Sequence, residues 1–164
     1  MAEYLRAHHT MTVATMGPLP VSGAGGAPSG AADSGTVVPH AASVFYAVDD
    51  DLRLVFLSDS ASTHGLHIGK AAPVAVTVTE QYDDWEDIRG VQLWGVAKRV
   101  TGPAKVAAMA AYLRRFPFVD DLLQQPRLAA AMRKVSVYRV EPRRVAFTDN
   151  TTGVFGREIL DLKG

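Results

Sequence analysis

The feature that most limits the possible folds is a succession of short apolar segments with the alternation of β-strands. Successive side chains of a strand point to opposite faces, so a half-buried strand alternates apolar and polar residues. Segments of this kind, rich in Val, Ala, Phe and Thr, occur at residues 11–15, 43–48, 52–58, 73–79, 88–100, 135–140 and 144–147. They do not alternate with helices as βαβ units do, which argues against a parallel sheet. The sequence therefore predicts a mainly β domain, an antiparallel barrel-like sheet with a few helices on its outside.

Turn and helix signals separate these segments. Asp49-Asp50-Asp51 lies between two strong strand segments and predicts a hairpin. A short helix is predicted near Ser62, and Gly102-Pro103 opens a longer helix that Pro117 ends. Apolar residues recur at helical spacing in that longer helix: Val106, Met109, Ala110, Leu113 and Phe116. A further helix, interrupted by a proline, is predicted over residues 122–132.

Residues 16–40 form a long segment without an apolar period. The stretch MGPLPVSGAGGAPSGAADSGTVVPH is dominated by Gly, Ala, Ser and Pro. Such a composition buries too little apolar surface to order itself easily. We predict a long flexible loop inserted between two strands of a single domain that spans residues 1–164, a length typical of one domain.

Composition excludes several classes of function. Lys plus Arg and Asp plus Glu number 17 each, so no overall field attracts nucleic acid. The chain has no cysteine, which excludes disulfides, thiolate metal sites and a cysteine nucleophile. The N-terminus lacks an apolar leader, and no apolar run is long enough to span a bilayer. These observations predict a soluble cytoplasmic protein that binds neither nucleic acid nor membrane.

The segment FLSDSASTHGLHIGK, at the end of a strong strand, contains the hydroxyl and imidazole side chains best suited to bind a ligand. His64 and His67 lie three residues apart and could share a helical face toward a metal, with another histidine as third ligand, but no acidic residue lies at ligand spacing. Hydrolase and dinucleotide-binding signatures (GxSxG and GxGxxG after a strand) are absent from the sequence. A phosphate site at the helix start, made by Ser58 and Ser62-Thr63-His64, is the better interpretation. The alternative, that Ser60 or Ser62 only caps the helix, stays open.

The order of these segments resembles a known superfamily. LRLVFLSDSASTHGLHIGKAAPVAVTV, followed by IRGVQLWGVAKRV, is similar to the pyridoxamine 5'-phosphate oxidase-like FMN-binding split barrels. RRFP and the tail RVAFTDNTTGVFG narrow the resemblance to an uncharacterised bacterial branch of flavin-binding proteins. The resemblance covers most of the chain and implies an antiparallel split β-barrel with peripheral helices.

The same resemblance implies a homodimer with FMN in each of two clefts at the subunit interface. By position, residues 43–45 border the isoalloxazine edge, residues 57–58 lie on the next strand, residues 62–64 hold the phosphate, and two further strands border the cofactor. The residues so implied are Ser43, Val44, Phe45, Leu57, Ser58, Ser62, Thr63, His64, Thr77, Gln92 and Trp94. Trp94 faces the same way as Gln92 and packs either on the flavin ring or in the protein core.

Besides the long loop over residues 16–40, the chain departs from the family at two places. The oxidase has Ser-Arg-Lys where this chain has Ser62-Thr63-His64, so two permanent cations are lost against a phosphate dianion. Arginines that could replace them are Arg89, Arg114, Arg115 and Arg157. The oxidase's C-terminal substrate-binding pattern is also missing, so the resemblance does not imply oxidation of pyridoxamine phosphate.

The resemblance favours an FMN-dependent oxidoreductase that acts on a small aromatic or quinone-like molecule. A flavin carries its own redox chemistry, so such a site needs no protein general base. One alternative is a flavin-binding sensor, carrier or stress protein without turnover. Another keeps the fold and binds a deazaflavin coenzyme, or haem with His40, His64 or His67 as axial ligand.

Overall fold

The computed structural model describes residues 1–18, 36–49, 51–125, 132, 134–153 and 156–162. Its elements in chain order are α1 (Ala2–Ala7), β1 (Thr10–Pro18), β2 (Val37–Val48), β3 (Leu54–Asp59), α2 (Thr63–Ile68), β4 (Ala71–Thr79), β5 (Arg89–Arg99), α3 (Gly102–Arg115), α4 (Phe118–Gln124), β6 (Val135–Asp149) and β7 (Arg157–Asp161). Single 3₁₀ turns lie at Trp85–Asp87 and Asn150–Thr152. None of the helices in the described ranges has the length and apolar character needed to cross a membrane.

The strands form one antiparallel sheet that closes on itself. Their order is β3-β2-β1-β4-β5-β6-β7, and β3 also pairs with β6, which closes a ring of six strands with β7 added beside β6. The ring is open on one side, because β2 pairs with β3 only from Tyr46 to Val48. From that point back to Val37, β2 diverges from β3. The predicted antiparallel split barrel with peripheral helices is confirmed.

Strand alternation sends one set of side chains into the barrel. Val13, Leu54 and Leu93 are 0–1% exposed there, and Phe56 stacks on Tyr138 with ring centroids 5.1 Å apart. Helix α1 closes one end, where Leu5 is buried and the Tyr46 hydroxyl donates to the Leu5 carbonyl at 2.7 Å. The barrel interior is thus filled by side chains from every strand of the ring.

A second core lies on the outer face of β2, β3 and β6. Ala47, Val55 and Val137 pack there against Tyr112 and Phe116 of α3. The predicted helical stripe is only partly right, because Val106 is 71% exposed. The residues that α3 buries are instead spaced four apart, at positions 108, 112 and 116, so that they lie on one face of the helix.

The predicted loop over residues 16–40 is too wide at both ends. Residues 16–18 belong to β1 and residues 37–40 to β2, where Met16 pairs with Pro39 and Pro18 with Val37. Residues 19–35 lie outside the described residues, as do 126–131 of the predicted 122–132 helix. Helix α4 begins earlier than predicted, at Phe118, directly after the proline that ends α3.

Candidate functional site

The structure separates the predicted site residues into two groups. Exposed on the outer face of the sheet are Ser43, Phe45, Thr77, Gln92 and Trp94. At the open end of the barrel interior lie Ser58, Ser62 and His64, with Thr63 half-buried beside them. Val44 packs against the interior core and Leu57 against the outer core under α3.

Hydrogen-bonding side chains form a row across four strands of the outer face. The cross-strand register aligns Ser43 with Thr12, Thr12 with Thr77, and Thr77 with Gln92. The hydroxyls of Thr12 and Ser43 lie 3.4 Å apart. Arg157 donates from Nη2 to Oε1 of Gln92 at 2.9 Å, which orients that amide. The sequence analysis did not include Thr12 in the site. Alternation along the segment MTVAT could have placed its side chain on this face, but only the strand register places it between Ser43 and Thr77.

A second row, two residues further along each strand, is apolar and mostly small. Ala41 pairs with Ala14, Ala14 with Ala75, and Ala75 with Trp94. Trp94 is 41% exposed, so the interpretation of a buried core tryptophan is wrong, and it faces outward as Gln92 does. Together the two rows make a surface that is polar on one side and apolar on the other.

Ala14, Ala75 and Trp94 of the apolar row form the floor of an open groove of about 510 Å³. The rest of its lining is Thr15, Met16, Pro39, Pro73, Val74, Gly95, Val96 and Arg143. Its position is fixed by the backbone at Gly95, where a side-chain Cβ would lie 2.3 Å from the Glu141 carbonyl oxygen. The strand register shifts between Trp94 and Gly95, so glycine is required for β5 and β6 to approach closely beside the groove.

At the barrel end, the imidazole of His64 is held by two serines. Its Nε2 lies 2.5 Å from Oγ of Ser58 and 3.2 Å from Oγ of Ser62. His64 is 8% exposed, and burial, followed by the nearby His40 and His67, lowers its pKa below the ordinary value. The imidazole is therefore neutral at pH 7 and acts as a hydrogen-bonding group and not as a cation.

Ser62 performs the capping role that the sequence left open. Its Oγ accepts from the Gly65 amide at 3.2 Å and donates to the Asp59 carbonyl at 2.6 Å. The Ser62 hydroxyl therefore donates its proton to a protein carbonyl. The Ser58 hydroxyl lies within hydrogen-bond distance of both Ser62 Oγ and His64 Nε2. Of the predicted phosphate contacts, Ser58, Thr63 and His64 remain as possible donors.

Two further histidines adjoin His64. The His40 ring lies 6.0 Å from those of both His64 and His67, measured between centroids. His67 donates from Nε2 to the Pro18 carbonyl at 3.0 Å, and its Nδ1 lies 3.1 Å from Oγ1 of Thr15, so it fastens α2 to β1. Within the part of the chain that the structure describes, no group of three or more His, Cys, Asp or Glu side chains is arranged to hold a metal ion.

The candidate replacement cations lie elsewhere. Arg157 is bonded to Gln92 on the outer face, and Arg89 is exposed at the start of β5. Arg114 and Arg115 line a pocket beside Ala47, at the opposite end of β2 from His40. Arg115 donates there to the carbonyl oxygens of Arg6 and His8, and so is oriented toward α1.

Comparison with known proteins agrees with this architecture. No family model matches the chain. A solved structure of a haem-binding protein from Mycobacterium smegmatis has a TM-score of 0.63 at 21% identity, covering 98% of this chain and 57% of that one. An FAD-binding protein from Mycobacterium smegmatis has a TM-score of 0.57 at 15% identity, covering 99% of this chain and 94% of that one. These likenesses establish the split-barrel fold for this chain.

Sequence relatives identify the family. The UPF0306 protein YhbP of Salmonella schwarzengrund is 39% identical over 119 residues, which are 72% of this chain and 73% of that protein. A UPF0306 protein of Klebsiella pneumoniae is 34% identical over the same shares. With the split-barrel architecture and this degree of identity, the chain belongs to the UPF0306 family.

Proposed function

We propose that this protein is a homodimeric FMN-binding split barrel that acts as an oxidoreductase on a small aromatic or quinone-like molecule. The observation that carries the proposal is the pair of aligned rows on the outer face, one hydrogen-bonding and one of small apolar residues ending in Trp94. The likeness to FAD-binding split barrels supports a flavin as the ligand.

The polar row suits the edge of a flavin ring, which carries both hydrogen-bond acceptors and a donor. Serine and threonine hydroxyls both donate and accept, as Ser43 and Thr77 would do here. Because the Gln92 Oε1 already accepts from Arg157, its amide nitrogen is the group left to donate. The alanines of the next row let a flat ring approach the sheet, and Trp94 bounds the surface on one side.

The phosphate would reach into the split. Val44 and Ser58 are each two residues beyond the last β2–β3 pair, Tyr46 with Phe56, so they lie on either side of the opening. Hydroxyls of Ser58 and Thr63 and the imidazole of His64 would bind the phosphate there. This set contains no permanent cation. We therefore expect it to bind FMN more weakly than an Arg-Lys pair does, because a charged donor makes a stronger hydrogen bond to phosphate than a neutral one.

A second subunit would cover the groove. Met16 is 65% exposed and Val37 57% exposed on the same outer face as Trp94. An exposed apolar surface of this kind marks an interaction site in a soluble protein. A homodimer that buries this face would place one ligand cleft on each side of its symmetry axis.

Bound FMN would supply the hydride or electron transfer itself. The protein's own residues would bind the ring edge, orient it and exclude water. Substrate would therefore be selected by the shape and apolar character of the cleft, and no residue of the chain needs to act as general base.

The test begins with the absorbance spectrum and mass of whatever copurifies, followed by FMN titration of the apoprotein. We expect Ser58→Ala with His64→Ala to weaken FMN binding about tenfold or more, as loss of hydrogen bonds to a charged phosphate does. Ser60→Ala with His9→Ala, a matched pair outside the site, is the control. FMN binding unchanged in the first pair would refute the phosphate assignment. Ser58→Ala leaves the cap of α2 intact and repeats the test if the double variant is unstable.

Catalysis is tested separately with the loaded protein. Bleaching of the flavin by NADH or NADPH and rapid reoxidation by a quinone would support an oxidoreductase. A flavin that stays oxidised with both nicotinamides would instead favour a sensor, carrier or stress protein. Copurification of a deazaflavin, identified by its mass, would overturn FMN as the ligand.

Haem is the second candidate, and the histidine cluster favours it. The half-buried His40 ring contacts the rings of His64 and His67 at the mouth of the split, where it could serve as an axial ligand. A related fold in Mycobacterium smegmatis belongs to a haem-binding protein. Addition of haem should then give an intense Soret band that His40→Ala abolishes; no band would exclude this candidate.

A further inference from the structure

A second pocket lies at the other end of β2, away from the proposed cofactor cleft. It has a volume of about 250 Å³ and is bounded by α1, β2 and α3. Its apolar wall includes Leu5, Ala47 and Ala111. Three arginines, Arg6, Arg114 and Arg115, also line it, and we call it the arginine pocket.

No carboxylate lines the arginine pocket among the described residues. The acidic groups in this region already have partners: Glu80 contacts His8 at 2.6 Å, and both Asp49 and Asp51 pair with Arg53 at 2.6 Å. Over the described ranges, none of the three pocket arginines forms an ion pair with Asp or Glu. The pocket therefore combines three positive charges with no protein counter-ion.

One of these arginines is held in place by the backbone. Arg115 is half-buried and donates from Nη2 to the Arg6 carbonyl at 2.6 Å, with the His8 carbonyl 3.4 Å away. These bonds satisfy carbonyls at the end of α1 and use one nitrogen of the guanidinium. A guanidinium has five N–H donors, so Arg115 keeps others for a ligand without needing to reorganise.

The helix ends cannot neutralise this charge. Arg6 lies in the last turn of α1 and Arg114 and Arg115 in that of α3, where cations favourably oppose the helix dipole. Each helix C-terminus contributes only about −0.5 of a charge, however, and two such ends leave roughly two of the three positive charges uncompensated. An oxyanion would balance them and accept parallel N–H bonds from the guanidinium groups.

We propose that the arginine pocket binds the carboxylate or phosphate group of a small ligand. The ligand's apolar part would contact Ala47 and Ala111, and its oxyanion would accept from the three arginines. Because Arg6 and Arg114 are exposed, its affinity falls as salt rises. The arginine pocket shares no lining residue with the groove proposed for the flavin, so the two sites can be tested separately.

The experiment is calorimetric titration of the purified protein with inorganic phosphate and, separately, with succinate, at constant low ionic strength in chloride. Arg6→Gln and Arg114→Gln should each weaken binding of the anion about tenfold. Lys105→Gln removes one positive charge from the exposed side of α3, outside the pocket, and should change it less than about twofold. Absence of saturable binding for both anions, or an equal loss in Lys105→Gln, would overturn the proposal.

Amide chemical shifts locate the anion without any substitution. Binding in the arginine pocket should move the amide signals of Ala47, Val48 and Ala111. If saturating anion moved only the amides from Ser58 to His64, the arginine pocket would be rejected, while the proposed flavin phosphate site would gain support. This comparison keeps the two proposals separable, because the proposed flavin could fail while the pocket amides still respond.

Discussion

The outer face of the sheet has two halves that differ in how they are covered. Over β2, β3 and β6, α3 packs on the sheet, and Ala47, Val55 and Val137 are 0–3% exposed. Over β1, β4 and β5, no described helix covers the sheet, and Met16 and Trp94 are 65% and 41% exposed. Both halves display apolar side chains, so composition does not distinguish them. The uncovered half is the one whose apolar surface is left for a ligand or a partner.

The largest expected effect contrasts a covered aromatic residue with an uncovered one. Phe116 is 4% exposed and packs on Tyr112 at 4.8 Å and on Phe45 at 5.4 Å between ring centroids. Phe116→Ala should lower the free energy of unfolding by about 3–5 kcal/mol. Trp94→Ala should lower it by less than about 1 kcal/mol in the monomer, since that ring fills no cavity. Urea denaturation measures both changes in the free energy of unfolding. Equal losses would contradict the comparison, because they would mean that Trp94 on the uncovered half is packed as tightly as Phe116.

The next effect tests whether the uncovered half is a subunit interface. Met16→Glu places a charge on it and should raise the dissociation constant of the proposed homodimer about tenfold or more. Val106→Glu makes the same kind of change at a residue that is 71% exposed on α3, and should leave association unchanged. Sedimentation velocity over a range of concentrations measures the equilibrium. If both variants associate like the parent, the dimer does not use this face.

The smallest effect concerns His64, which lies beside the split between β2 and β3. Its pKa is lowered in the fold by burial and by His40 and His67, so the unfolded chain takes up a proton first as the pH falls below about 6.5. Stability from this group is full above that pH and is lost as the pH falls through the folded-state pKa. Denaturation at pH 7.5, 6.5 and 5.5 should therefore show a decline that His64→Gln reduces and the exposed control His9→Gln does not. A His64→Gln variant as pH-sensitive as the parent would contradict the assignment.

Much of the fold could be predicted from the sequence because its signals are local. Period-two alternation indicated the antiparallel sheet and placed Gln92 and Trp94 on one face of their strand, and Gly102-Pro103 indicated the start of α3. The buried stripe of α3 was harder, since apolar spacing alone favoured Val106, whereas the sheet selects the face that carries Tyr112 and Phe116. The ends of the loop at 16–40 were also misjudged, because its poor local propensity is overridden by pairing of Met16 with Pro39.

The candidate site divides in the same way between local and long-range information. By itself the sequence determined that Ser62 begins α2 and that Ser58 and His64 lie near it. These residues are close in the sequence, since Ser58 is at the end of β3 and His64 is in the first turn of α2. Only the tertiary structure decided that Thr12 joins Ser43 and Thr77, and that Arg114 and Arg115 lie at the far end of β2 beside Arg6. The reason is physical, because strand register and helix docking bring together residues that are far apart in the sequence. The free energy that favours this register and docking comes from the whole barrel and not from any one segment.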